Sequence, residues 1–435
     1  MEKIVALCKR RGFIYPGSEI YGGLAGTWDY GPLGALLKKN LKDLWWRDMV
    51  QLRDDIVGID AAIMMNPTAW EASGHVEAFV DPLVECKVCH QRFRADKEDE
   101  IDSHTKKHQK EKSGSVEYTS PQKFNLLVKA YLGVIEGEQS LIYLRGEITN
   151  GVHVNFQNVL DSTRIKIPFG IAQIGKAFRN EITPGNFTFR SREFEQMEVQ
   201  YYIKPKEEEE GKKWFEYWKK NRMDWYRSLG MKKDNLRFRD HADHERAHYA
   251  RIATDIEYHA PWGWSEFMGI HHRGDWDLKR HEQYSKKNMK YKDPQTNEEY
   301  LPWDIETSAV VDRSLLFLLI DAYHEEGKRL VLKLHPKLSP YKVALFPLVA
   351  NKAQLVKIAR KIYEELKLDM MVAWDDRGNI GKRYFAQDEV GTPWCVTIDY
   401  QTLDDDTITI RDRDTTKQIR VKKDILKDYF KQKLT

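Results

Sequence analysis

The period of the hydrophobic pattern changes several times along the chain, and each change predicts an element. From Leu33 the apolar residues Leu33, Leu36, Leu37, Leu41, Leu44, Trp45 and Leu52 recur at helical spacing. Ile59, Ala61, Ile63 and Met65 then alternate with other residues, which predicts a strand ending at Pro67. In residues 174–202, IGKAFRNEITPGNFTFRSREFEQMEVQYY, two runs rich in β-branched and aromatic residues flank Thr183-Pro184-Gly185-Asn186, the pattern of a long antiparallel hairpin. Helical spacing returns over 212–229 and in FRDHADHERAHYARIATDIEY within 237–282, whose histidines read as structural or solvent-facing. Residues 301–323 read as a strand entering a helix buried through Leu315, Leu316, Leu318, Leu319 and Tyr323. From about Pro336 a short buried strand, KVALFPLV, is followed by an amphipathic helix over 352–367 and further strands and helices, the pattern of a small α/β domain with a mixed sheet.

The hairpin also concentrates chemistry. Side chains alternate faces along a strand, so Arg179 and Glu181 share one face of its first arm. Arg190, Phe194 and Glu198 share one face of the second. Arginines clamp phosphate, a Phe ring stacks on a base, and carboxylates hold an ammonium or an exocyclic amine. A solvated hairpin with cross-strand ion pairs would explain any one of these pairs, but not the whole set on one surface.

At 435 residues the chain has room for two or three domains. Charged residues make up 31% and hydrophobic ones 41%, with a formal net charge of +3, so any nucleic-acid site must rest on local basic patches. No apolar run approaches the roughly 18 residues of a membrane span, and MEKIVALCKRRGF lacks signal-peptide features, so the expected location is the cytoplasm. The four cysteines make no disulfide framework. In a very polar segment, 82–125, Cys86-x2-Cys89 is followed after fourteen residues by His104-x3-His108, the spacing of a two-Cys, two-His zinc site. A charged insertion with incidental histidines is the alternative.

Phe178-Arg179-Asn180-Glu181, followed by Arg190, Phe194 and Glu198, resembles motif 2 of the class II aminoacyl-tRNA synthetases. The surrounding words FGIAQIGKAFRNEITPGNFTFRSREFEQME, and the glycine-rich opening RRGFIYPGSEIYGGLAGTWDYGP, resemble the glycyl-tRNA synthetases of the homodimeric type. The helix and strand before Pro67 resemble motif 1, which implies a homodimer through that region. The 301–323 strand and helix resemble motif 3. The resemblance implies an antiparallel class II sheet with flanking helices in a catalytic domain over 1–335, with the possible zinc insertion at 82–125 and a small helical insertion at 203–235. An α/β anticodon-binding domain with a mixed sheet would occupy 336–435.

The implied roles follow residue by residue. Arg179 would contact the ATP α-phosphate, Arg190 and Arg313 the γ-phosphate, Phe194 the adenine ring and Glu181 the adenine end. Glu147, Glu198, Glu306 and Ser308 would form the glycine pocket, with Glu306 alternatively holding Mg²⁺, and Arg273 would hold the glycine carboxylate. Arg179, Arg273 and Arg313 would be the catalytic set, and Arg411, Arg413 and Gln418 the tRNA contacts. The chain departs from the family at Gly146, Ile148, Thr149 and Asn150 beside Glu147, and at Val310 where Gly is usual. The implied reaction is glycine plus ATP giving glycyl-adenylate and pyrophosphate, then transfer to tRNA(Gly). The alternatives are a sister synthetase, a non-catalytic paralogue that binds nucleic acid, and a zinc-finger protein.

Overall fold

A computed structural model describes residues 1–111, 115–135, 140–247 and 249–434. Its elements used below are, in order, α1 (Glu2–Arg11), α2 (Pro32–Trp46), β1 (Ile56–Gly58), β2 (Val80–Glu85), β3 (Arg92–Arg94), α3 (Glu98–Glu111), β4 (Gln122–Asn125), β5 (Phe169–Phe178) and β6 (Glu193–Ile203). Then come α4 (Glu208–Ser228), β7 (Leu236–Asp240), β8 (Ile252–Ala260), β9 (Gly263–Gly274), α5 (Trp276–Ser285), β10 (Trp303–Val310), α6 (Val311–Ala322) and β11 (Arg329–Leu332). The C-terminal part holds β12 (Val343–Pro347), α7 (Ala353–Leu366), β13 (Val372–Trp374), α8 (Ile380–Val390), β14 (Trp394–Ile398), β15 (Thr407–Asp412), β16 (Gln418–Lys422) and α9 (Leu426–Leu434).

The larger sheet has seven strands in the order β7-β8-β9-β10-β6-β5-β1. Every pairing is antiparallel except β1 with β5, where Ile56 lies opposite Gly170. The predicted hairpin is β5 and β6, in register from Phe169↔Tyr202 to Phe178↔Glu193. Period-two alternation explains how β6 serves two masters. Met197, Val199 and Tyr201 face a core shared with α2, α4 and α6, while Phe194, Gln196 and Glu198 line a cleft on the opposite face. The expected helix over 301–323 is α6, with Leu315, Leu316, Leu318 and Leu319 buried in that core. Within 203–235, the span expected to hold a small helical insertion, α4 supplies Phe215, Trp218 and Tyr226 to the same core.

Two expectations are corrected. Residues 59–65 do not form one strand: β1 ends at Gly58, and only Met64–Met65 pair, against Tyr143 and Leu144 of another sheet. Between them side chains replace ladder bonds, since the Ala61 N–H donates to Gln173 Oε1 (3.0 Å) and its carbonyl accepts from Arg145 Nη1 (2.7 Å). The stretch read as helical within 237–282 is β7, an irregular connection and β8. Ile252, Thr254 and Ile256 are β-branched and pair with the neighbouring strands, so tertiary pairing overrides the period. His241 is part-buried against Asp255, His244 is exposed, and His248 lies outside the described residues.

The second sheet, β13-β12-β14-β15-β16, is mixed: β12 runs parallel to both β13 and β14, and β14-β15-β16 are antiparallel. It has its own core, in which Leu355, Ala359, Ile362 and Leu366 of α7 pack with Val343, Val396, Ile408 and Phe430. Helix α8 ends at Gly391, whose φ of 80° is left-handed and favours glycine. The joint to the first unit lies along α8, where Glu389 accepts from Arg11 Nε (2.6 Å) and Arg10 Nη2 (3.0 Å). Among the described residues no helix is long and apolar enough to cross a membrane.

Candidate active site

The cleft over β6, β9 and β10 has a buried carboxylate end. Glu147 sits in the loop before a short helix, Glu198 on β6 and Glu306 on β10, and all three line the cleft. Glu198 accepts from Ser308 Oγ (2.5 Å), Gln196 Nε2 (2.8 Å) and Thr149 Oγ1 (2.7 Å). Glu306 accepts from Arg273 Nη1 (2.8 Å) and contacts His271 Nδ1 (2.7 Å). Glu147 Oε2 lies 3.3 Å from His75 Nε2, whereas its Oε1 is buried without a partner.

These neighbours separate the three charge states. Burial, then the nearby Glu306 and Glu147, pushes Glu198 up to about 8, so it holds a proton at neutral pH. Burial also opposes ionisation of Glu306, but Arg273 and His271 outweigh it and hold that carboxylate at about 2. His75 keeps Glu147 below its ordinary value against the same burial. The carboxylate end of the cleft thus offers a negative site to a small cation.

At the other end the hairpin loop supplies the arginines. Arg179 donates from Nε to the Gly146 carbonyl (3.1 Å) and lies over the rings of Phe79 and Phe194, 5.0 and 5.3 Å from their centroids. Arg313, in the first turn of α6, donates to the Phe189 carbonyl (2.9 Å) and to Glu266 Oε1 (2.9 Å). Arg190 lies 3.8 Å from Glu100 of α3. With Glu181, Arg179, Arg190, Phe194 and Arg313 all line the cleft, so the predicted nucleotide set is brought together. Val310 borders it too, at the start of α6.

Arg273 departs from expectation. It is 2% exposed and does not border the cleft: Nε and Nη2 donate to Asp277 (2.7 and 2.8 Å), and Nη1 to Glu306. A guanidinium committed in this way holds Glu306 from behind. Glu306 in turn spends its oxygens on Arg273 and His271, which does not suit a magnesium ligand. Glu266, which also borders the cleft, is an exposed carboxylate paired with Arg313 at its arginine end. Behind Arg273 lies a sealed layer of His153, Asp277 and Asp304, in which burial raises Asp304 well above the usual carboxylate range. Sequence reasoning missed this layer, as it missed His75, His241, Gln196 and Thr149. For Gln196 a signal existed, because it lies two residues before Glu198 on the same strand face.

The polar segment forms its own small sheet, β3-β2-β4, with α3 against it. Donor atoms of Cys86, Cys89, His104 and His108 all lie within 4.8 Å of one another. His104 Nδ1 is bonded to the Tyr118 hydroxyl (2.7 Å), which leaves Nε2 facing Cys89 Sγ (3.4 Å). Two thiols and two imidazoles in this arrangement fit a tetrahedral zinc ion.

In the C-terminal unit two of the three expected RNA contacts are corrected. Arg411 is 5% exposed and pairs in a fork with Asp388 (2.8 and 3.0 Å). Arg413 is 2% exposed and binds Asp414 and the Gly391 carbonyl. Both guanidiniums are used to build the fold. Gln418, on the edge strand β16, is exposed.

Comparison with known proteins agrees with this geometry. Residues 342–433 match the family described as "Anticodon binding domain". Over its whole length the chain is 52% identical to the "Glycine--tRNA ligase" of Borreliella burgdorferi, covering 97% of that protein. It is 51% identical to the protein of the same name from Geobacillus kaustophilus (99% covered) and 50% identical to that of Caldanaerobacter subterraneus (98% covered), again over its full length.

Proposed function

The chain belongs to the glycine–tRNA ligases, a class II family whose members charge tRNA with glycine, and from this we propose how its residues divide that work. Glycine enters with its ammonium among Glu147, Glu198 and Glu306, and the convergence of these three carboxylates on one end of the cleft is the observation that carries the reading. Three carboxylates around one small cation suit an amino acid with no side chain to read. Alanine is refused for want of room, since a methyl group offers little else to discriminate.

ATP lies along the loop end of the cleft. Arg179 takes the α-phosphate, Arg190 and Arg313 the γ-phosphate, Phe194 stacks on adenine and Glu181 meets its edge. The glycine carboxylate oxygen attacks the α-phosphorus, the bond to the bridging oxygen breaks, and pyrophosphate leaves. Arg179 stabilises the charge that grows on the phosphate oxygens. Magnesium bound with the phosphates would supply further charge neutralisation there, and Glu266 would be a carboxylate to hold it. A hydroxyl of the tRNA end then displaces the adenylate. Arg273 is a positioning residue that fixes Glu306.

The enzyme works as a homodimer through the motif 1 region, on tRNA(Gly), in the cytoplasm, with a zinc ion on Cys86, Cys89, His104 and His108. A non-catalytic paralogue would have no reason to keep this charge arrangement. The deciding experiment is amino-acid-dependent ATP–pyrophosphate exchange, without tRNA, across all twenty amino acids. Exchange with glycine alone is expected; none with any amino acid, from folded protein that binds tRNA, overturns the catalytic reading. Sedimentation as a monomer at micromolar concentration overturns the dimer.

A further inference from the structure

Glu147 follows Gly146, where the space a Cβ would take meets Phe79 at 3.0 Å and Leu127 at 3.2 Å. A carboxylate that must meet a small ammonium needs a fixed side-chain rotamer as well as a fixed backbone. The bracing comes from another segment.

His75 follows a left-handed Gly74 (φ 74°) and is 8% exposed. Its backbone is held by Asn125, whose Nδ2 donates to the carbonyls of His75 (3.1 Å) and Val76 (2.9 Å). Its ring is wedged edge-on against Trp70 and tilted against Phe79, with centroids 5.3 and 5.0 Å away. Nδ1 meets Ser73 Oγ at 2.8 Å, and with that hydroxyl donating to Nδ1 the ring proton sits on Nε2. Backbone, ring plane and Nδ1 are thus all set, and Nε2 is left 3.3 Å from Glu147 Oε2.

We propose that His75 is the positioning residue for glycine recognition: it anchors one oxygen of Glu147 and so fixes the direction in which this carboxylate lines the cleft for the substrate ammonium. Arg179 steadies the Gly146 carbonyl from the other side, so both halves of the substrate pair converge on this one loop. His75 touches neither reacting atom and acts only through Glu147.

The inference rests on the glycine reading above, and exchange kinetics separate the two. His75→Phe keeps a ring against Trp70 and Phe79 but removes the donor. It is expected to raise the KM for glycine about 10-fold or more while the KM for ATP stays within about twofold. His75→Gln returns a neutral donor and is expected to recover most of that loss. Ser73→Ala, which frees Nδ1, is expected to raise the glycine KM about threefold. A glycine KM within about twofold of the parent in folded His75→Phe overturns the proposal, as does a parallel rise in both KM values, or a Gln variant no better than Phe. Should His75→Phe not fold, Ser73→Ala decides alone: a glycine-selective rise supports the proposal and no rise overturns it. A parent enzyme that exchanges with no amino acid overturns the glycine reading itself.

Discussion

Glycine binding should release a proton, and its apparent affinity should fall steeply below pH 8. In the empty pocket Glu198 is pushed up to about 8 by burial and by the facing Glu306 and Glu147. Glu306 does not share that fate because Arg273 and His271 hold it ionised. At pH 7 Glu198 is therefore about nine-tenths protonated. An ammonium among the three carboxylates favours the ionised form, so binding and proton loss are linked. If only the ionised form binds, the apparent dissociation constant is the intrinsic one multiplied by 1 + 10^(8 − pH), with the exponent set by the value near 8. That factor is about 100 at pH 6, about 11 at pH 7 and about 2 at pH 8. The sign is fixed by the direction of the shift: a raised carboxyl weakens cation binding on the acid side and stops mattering above its own value. Calorimetry at pH 7 in two buffers of different ionisation enthalpy should report about 0.9 proton released per glycine. The glycine KM in pyrophosphate exchange should fall about fivefold between pH 7 and 8. Glu198→Gln should bind glycine weakly and without this pH dependence. A flat glycine KM from pH 6.5 to 8.5, with no proton release, would refute the reasoning.

Arg179→Ala should lower glycine-dependent exchange by about 100-fold or more, the usual scale for lost electrostatic stabilisation; a near-normal rate would remove Arg179 from the catalytic set. Arg411→Leu removes the two-bond partner of the fully buried Asp388 and leaves it Arg329 Nε at 3.5 Å, and should cost about 3 kcal/mol in urea unfolding; unchanged stability with weakened tRNA binding would restore the RNA-contact reading. Elemental analysis should find about one zinc per chain, and a chelator should expose 82–125 to protease while the hairpin stays protected. Zinc below about 0.1 per chain in normally folded protein would retire the site.

The legible parts of the sequence were those where chemistry and period coincide. The hairpin could be placed because Thr183-Pro184-Gly185-Asn186 separates two strand-like runs, and its face could be read because Phe194 and Glu198 differ by an even number. The grouping of Cys86, Cys89, His104 and His108 could be read because their spacing places two pairs within reach of each other. What failed did so for physical reasons. Arg273, Arg411 and Arg413 look like surface arginines in a one-dimensional string; their acidic partners Asp277 and Asp388 become visible only when strands and helices are stacked. In the stretch read as helical, β8 is fixed by pairing with β9, an interaction between segments that local period does not carry. His75 lies 72 residues from Glu147 in the chain, and no motif joined them.

The strand order of the large sheet has a consequence for synthesis on the ribosome. β1 pairs only with β5, so Ile56 waits for Gly170 to emerge, and β6 and β9 are joined only when β10 arrives between them. The small sheet of β2, β3 and β4 closes within residues 80–125 and shortens the loop that the β1–β5 pairing must span. Glu306 and Ser308 are among the last pieces of the pocket to be made. A nascent chain that stops before β10 carries the arginines of the hairpin but no finished seat for glycine, so the enzyme cannot begin to consume ATP until its first unit is complete.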